Sequence, residues 1–314
     1  MKNEKHKLTL DNGNIVDAQT PLIVSASRAT DIPAFYCQWF FNRLSKGHVR
    51  WRNLYNGKDS YVSFDNTKFI VFWSKNPAPL LQFLPILKQK GIGCYVQYTL
   101  NDYYAEGLEP NVPPISGRIE TFKRLVDELG LGAVVWRFDP LILTDRISAE
   151  DLLHKISNIA GELRGYVEKL VFSFADISSY RKVGRNLSDA GINYHEWSED
   201  EMIDFSRRLA DMNLGLELAT CAEKIDLSEF GINHNRCIDP ELIVRLSPEL
   251  EPLIRNSKTD KGQRSLCGCI TSKDIGAYNT CPHGCAYCYA NTSPVSARQN
   301  YLTHQQNPDN DSII

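Results

Sequence analysis

The sequence predicts an α/β protein: a parallel sheet curled into a partial (β/α)6, TIM-like barrel, followed by a cysteine-rich C-terminal segment. Three observations lead there. Six short, continuously apolar runs read as strands buried on both faces. Helix-like stretches alternate with them, and seven of the nine cysteines fall in the last third of the chain. A doubly wound open sheet is the main rival, but no G-x-G-x-x-G follows the first apolar run to support it.

Residues 1–20 read as an N-terminal hairpin, because 7–16 alternate in polarity around Asn12-Gly13, a type I′ turn pair. The barrel is expected over 21–225. Its first strand is "PLIVSAS" (21–27), followed by a helix from Pro33 to about Lys46 and an inserted hairpin over 48–64. "KFIVFWS" (68–74) precedes a helix over about 79–91, and "GCYVQYTL" (93–100) one over 117–129. "AVVWRF" (133–138) leads to a helix opened by the capping box Ser148-x-x-Asp151. "KLVFSFA" (169–175) leads to one opened by Ser198-x-x-Glu201. "GLELAT" (215–220) is the sixth strand. Residues 226–302 form the cysteine-rich segment, and the polar stretch 303–314 is expected to fray.

Apolar residues at 42% and charged residues at 23% suit a sizeable globular core. No apolar run approaches the ~18 residues of a membrane helix, and "MKNEKHKLTL" lacks the apolar stretch of a secretory leader. A cytoplasmic protein without a membrane partner is therefore expected. A net charge of −3 without a basic run argues against nucleic acid as a partner. In a reducing compartment, clustered cysteines point to metal or redox chemistry rather than to disulfides.

In a parallel barrel the C-terminal ends of all strands open on one face, where binding sites are built. Here those ends carry Arg28 and Asp31, Lys75 and Asn76, Asn101 and Asp102, Arg137 and Asp139, Asp176, and Thr220 with Glu223. Asp and Asn suit turns and caps on their own account. Caps do not require long cations, so Arg28, Lys75 and Arg137 point to a polar ligand pocket.

"CPHGCAYCY" (281–289) sets Cys281, Cys285 and Cys288 at C-x3-C-x2-C. Three thiolates on one short loop suit three irons of a [4Fe–4S] cubane and leave the fourth open to a small molecule. Zinc would need a fourth ligand, for which the loop offers His283, strained in so tight a turn.

This stretch resembles the radical S-adenosylmethionine (SAM) signature, C-x3-C-x-aromatic-C. With "GAYNT" before it and "YAN" after it, it is similar to the spore photoproduct lyase-like branch of that superfamily. "SRATDIP", "FWSKNP", "WRFDP", "CAE" and "DIGAYNTC" extend a resemblance to the DUF1848 family over about 21–292, where the cysteine loop follows the last strand rather than the first. The resemblance implies a [4Fe–4S] cluster on Cys281, Cys285 and Cys288, SAM on its open iron and Tyr287 near the adenine. It further implies a 5′-deoxyadenosyl radical that takes a hydrogen atom from the substrate, and an electron donor such as flavodoxin or ferredoxin. Arg28, Lys75 and Arg137 are the candidate cofactor-binding cations; Asp31, Asp139 and Glu223 are the candidate catalytic carboxylates.

The substrate that the resemblance suggests is nucleobase-like: queuine, cleaved at a C–N bond to 7-aminomethyl-7-deazaguanine in queuosine salvage. Asp31, Asp102, Asp139, Asp176 and Glu223 are available as acceptors for its ring N–H and amino groups. Radical chemistry on DNA, and a non-catalytic iron–sulfur or zinc protein, are the alternatives. Cys221, Cys237, Cys267 and Cys269 remain. Four thiolates complete either a tetrahedral zinc or a second, fully ligated [4Fe–4S] cluster, a staple for the C-terminal segment; the Cys267-x-Cys269 pair is poor zinc-ribbon spacing and favours iron–sulfur. Cys37 and Cys94 read as small buried apolar residues. Trp73, Tyr98 and Trp136 read as core, with Tyr98 a stacking surface if it faces the barrel interior.

Overall fold

The computed structural model describes residues 6–10, 12–53, 57–264 and 266–314. Residues 1–5 and 11 of the expected N-terminal hairpin, 54–56 of the inserted one and Ser265 of the cysteine segment lie outside the described residues. Strand β1 (His6–Thr9) pairs antiparallel with β2 (Ile15–Gln19), Thr9 opposite Ile15, so the connection is longer than a two-residue turn. Next come β3 (Ile23–Ala26), α1 (Ile32–Phe35) and α2 (Cys37–Lys46). The helix expected from Pro33 onward is thus broken at Tyr36. The inserted hairpin is β4 (His48–Arg52) and β5 (Asp59–Ser63), and β5 pairs with β2, so the two hairpins make one four-stranded sheet.

The chain then alternates: β6 (Phe69–Ser74), α3 (Leu84–Lys90), β7 (Gly93–Thr99), α4 (Ile115–Leu129) and β8 (Val134–Leu141). A 3-10 turn over Ala78–Phe83 replaces the first part of the helix expected at 79–91, because Pro85 has no N–H to return to the preceding turn. Short β9 (Leu143–Thr144) is followed by α5 (Ala149–Glu162), β10 (Lys169–Phe174), α6 (Arg181–Asp189), β11 (Tyr194–His195), α7 (Glu199–Asp211) and β12 (Glu217–Thr220). Both capping boxes form as read, at Ser148/Asp151 and Ser198/Glu201. The C-terminal part adds β13 (Asn233–His234), α8 (Pro240–Leu246), α9 (Glu251–Ile254), β14 (Lys273–Asp274) and α10 (Pro294–Gln306).

Eight strands form one parallel sheet in the order β13-β12-β10-β8-β7-β6-β3-β14. From β3 to β13 spatial order follows chain order, without the reversal that defines a doubly wound sheet. Central strands are apolar on both faces: Phe69, Ile70, Val71 and Phe72 are all fully buried. Ile70, Phe72, Val96 and Trp136 face the helices. Ile23, Phe69, Val71 and Tyr95 face the other way, against Ile238, Ile243, Leu250 and Ile270 of the segment between β13 and β14. That segment crosses one face of the sheet from edge to edge.

The tail does not fray as its polarity suggested. Residues 294–306 are helical, Arg50 pairs with Asp311 at 2.8 Å, Trp39 donates to the Asn310 carbonyl, and Ile313 is buried. No helix among the described residues is long and apolar enough to cross a membrane.

Candidate functional site

The cysteine loop is fastened to the tips of the first strands. At the end of β14, the Asp274 carboxylate accepts from Ser25 Oγ at 3.0 Å and from the Arg28 and Gly276 backbone N–H groups at 2.9 Å. Gly276 is required by close approach: an added Cβ would lie 1.8 Å from Ser27 Oγ and 2.7 Å from Ser27 Cβ. The Ala277 N–H donates to Thr30 Oγ1 at 2.9 Å, and the Tyr36 hydroxyl donates to the Thr280 carbonyl at 2.6 Å.

His283, buried inside the loop, has both ring nitrogens engaged: Nε2 lies 2.8 Å from Asp31 Oδ2 and Nδ1 3.3 Å from the Asn111 carbonyl. Neither is left over for a metal. Asp31 also caps α1 through the Ala34 N–H and accepts from Ser74 Oγ at 2.6 Å and the Lys75 N–H at 2.8 Å. Burial alone would raise its carboxyl. The bond and charge of His283, then Ser74 and Lys75, hold it below the usual range instead.

Cys281, Cys285 and Cys288 are free and lie within reach of one another's charge. No sulfur–sulfur contact joins them among the described residues. Burial pushes all three thiols up. Backbone N–H groups of His283 and Asp31 face Cys281, and those of Ala290 and Asn291 face Cys288. Lys75 lies near Cys285, its Nζ 2.8 Å from both Glu109 Oε1 and the Tyr287 hydroxyl. Tyr287 also bonds Glu109 and accepts from Asn101 Nδ2 at 3.1 Å, so its hydroxyl is locked inward. A scaffold with one buried and two half-buried thiols, N–H donors at the sulfurs and a nearby cation suits an anionic metal–sulfur group.

Asn101 connects this knot to the sheet interior, because its Oδ1 accepts the Asp139 N–H at 3.0 Å. Asp139 pairs with Arg137 and accepts from Ser173. Arg137 Nη1 reaches Gln97 Oε1 at 3.2 Å and the Cys237 sulfur at 3.3 Å. Arg28 and Arg137 both lie against the Trp73 ring, 4.9 and 5.3 Å from its centroid. The Glu223 carboxylate accepts the Phe174 N–H at 3.0 Å and is pushed up to about 7, first by burial and then by the charges of Asp139 and Cys221.

Beside Arg137 the remaining four cysteines meet. Cys221 Sγ is 3.4 Å from Cys237 Sγ, and Cys267 Sγ is 3.0 Å from Cys269 Sγ. Cys237 and Cys269 interact in turn, joining the two pairs. Among the described residues, no three of His, Cys, Asp and Glu already stand as a metal-ligand set.

Of the expected site residues, Arg28, Arg137, Asp139, Glu223 and the four cysteines lie within reach of one another's charge, while Lys75, Asp31, Tyr287 and the three loop cysteines gather around the loop. Asp102 and Asp176 are drawn outward, to Lys155 at 3.7 Å and to the Ser179 N–H at 3.2 Å. Tyr98 faces the helices, stacked on Phe122, and is no platform inside the sheet. Trp73 was read as core but lines the polar interior; its parity with Phe69 and Val71 was the available signal. Glu109 carried no signal, being one acidic residue in a loop.

The fold and these two thiol groups define an α/β protein with a parallel sheet and a cysteine loop at its strand ends. The chain belongs to the family described as a domain of unknown function, DUF1848, whose model matches residues 23–290. No curated protein and no solved structure matches it.

Proposed function

We propose that the protein is a radical SAM enzyme that acts on a small nucleobase-like substrate. Cys281, Cys285 and Cys288 would hold a [4Fe–4S] cluster, with SAM beside it, at the open end of a partial (β/α)6 barrel. The observation that carries this reading is the loop itself: one buried and two half-buried thiols, close without touching, with N–H donors and Lys75 around them. Chain-order parallel strands support the barrel, because successive crossovers of one hand wind a sheet in one direction.

When bound, the cluster and SAM would supply abstraction of a hydrogen atom from the substrate. The chain's own residues do the rest. Asp31 and His283 pin the loop, and Lys75 and Glu109 lock Tyr287 beneath it. Asp31 is saturated by its own chain, so Asp139 and Glu223 are the carboxylates left to accept from substrate. Asp139 keeps 23% of its side chain exposed. A 7-deazaguanine ring with N–H and amino donors matches that pair. The reading therefore stays with C–N cleavage of queuine to 7-aminomethyl-7-deazaguanine, with flavodoxin or ferredoxin as the electron source.

The test is 5′-deoxyadenosine formation by anaerobically reconstituted, reduced protein supplied with SAM, against Cys288→Ala. Formation by the natural sequence alone, stimulated by queuine over other nucleobases, is expected. Absence of the product from protein carrying a complete cluster overturns the reading. Product without preference for queuine overturns the substrate alone.

A further inference from the structure

We propose that Cys221, Cys237, Cys267 and Cys269 hold a single tetrahedral zinc ion, which fastens the segment between β13 and β14 onto the sheet. The site is independent of whatever the loop at 281–288 binds.

The four thiols come from three separate stretches of chain: after β12, after β13 and before β14. Cys237, Cys267 and Cys269 are buried, and Cys221 is half-buried. Spacing separates one ion from a cubane. Sulfurs around a zinc with ~2.3 Å bonds stand about 3.8 Å apart. The contacts of 3.4 and 3.0 Å must open by about 0.4 and 0.8 Å to reach that distance. A cubane puts four irons between its sulfurs and needs far more room. Tyr95 and Gln97 both donate to the Cys237 carbonyl, at 2.6 and 3.0 Å, which holds that cysteine's backbone in place, and Cys269 is fully buried.

The groups around the sulfurs suit thiolates rather than thiols. The Ile238 N–H donates to Cys269 Sγ at 3.2 Å, Asn235 Nδ2 to Cys237 Sγ at 3.5 Å, and Arg137 Nη1 to Cys237 Sγ at 3.3 Å. Such outer donors orient metal-bound sulfur. Four thiolates on a divalent ion carry a net charge of −2, and two guanidiniums lie nearby. Arg28 Nη2 is buried without a partner among the described residues. Four protein ligands leave no open position, so the ion is structural. A staple is needed there: the segment's two helices are α8, of 7 residues, and α9, of 4 residues, too short to hold themselves.

The test uses the full chain carrying Cys281→Ala, Cys285→Ala and Cys288→Ala, so that the loop contributes no metal. Purified without air, it should contain about one zinc per chain. Exchanged with cobalt(II) chloride, it should show the visible absorption of tetrahedral thiolate-bound cobalt. Removing the metal with a chelator should lower the melting temperature, and zinc should restore it. Iron and sulfide in cubane proportion in this variant would overturn the proposal. So would metal-free protein whose four thiols titrate as free, or are lost to two disulfides. Cys267→Ser with Cys269→Ser should abolish cobalt binding, and the stoichiometry of the triple variant decides the matter even if that protein does not fold.

Discussion

Replacing Lys75 by Met would leave a carboxylate stranded under the cysteine loop. Lys75 Nζ lies 2.8 Å from Glu109 Oε1, with the two side chains 16% and 1% exposed. Glu109 keeps the Tyr287 hydroxyl and the Arg118 guanidinium, whose nearest approach is 3.9 Å, while Oε2 has no hydrogen-bond partner among the described residues. Breaking a buried ion pair typically costs ~3–5 kcal/mol. The retained partners put Lys75→Met near the lower end, about 3 kcal/mol. Glu109→Gln should cost less, about 1–2 kcal/mol, because the flexible lysine stem can carry its charge to solvent. The double variant should fall short of the sum by ~1–2 kcal/mol.

All four proteins would be unfolded thermally and in urea in the same metal state. The deficit of Lys75→Met should also shrink as pH falls. In the natural sequence burial favours the neutral carboxyl, but Lys75 and Arg118 hold it below the usual range, so its stabilisation is present above about pH 4.3 and lost on acidification. Without Lys75 the carboxyl rises and takes a proton instead of carrying a buried charge. Two costs that add to within about 0.5 kcal/mol, or a costlier Glu109→Gln, would refute the reasoning.

Two further substitutions probe other contacts. Gly276→Ala drives a Cβ into buried Ser27; overpacking of this kind costs ~1–3 kcal/mol. Adding Ser27→Gly should recover most of it, and an unchanged melting temperature for Gly276→Ala would show that the turn yields. Lys273 is lowered to about 8 by burial. Between that value and ~10.4 the unfolded chain binds the extra proton, so stability should rise with pH across this window. Lys273→Met should flatten the rise and stabilise the protein at pH 7. Its ammonium lies 3.2 Å from the Trp51 ring centroid, an attraction of ~0.5–2 kcal/mol that acts the other way; a less stable Lys273→Met would mean the ring contact dominates.

Sequence alone determined what depends on neighbours along the chain. Apolar runs marked β3, β6, β7, β8, β10 and β12, because a strand covered on both faces must be apolar on both. Ser148 and Ser198 marked helix starts, because a capping box closes within four residues. The C-x3-C-x2-C spacing singled out one loop, and the motifs around it pointed to the DUF1848 family. Tyr36 broke a helix that periodicity ran straight through, and the tail's polarity hid the contacts of Asp311 and Ile313 with distant parts of the chain.

Tertiary structure decided which polar residues face each other. His283 and Asp31 are 252 positions apart, and Arg137 is 100 from Cys237; no local pattern encodes either pair. Asp31, Asp102, Asp139 and Asp176 looked alike at strand tips, yet the fold saturates the first, sends the second and fourth outward and sets the third beside Arg137. The physical reason is that a side chain's chemistry follows from its burial and its partners, and in a parallel sheet both come from strands and loops remote in sequence.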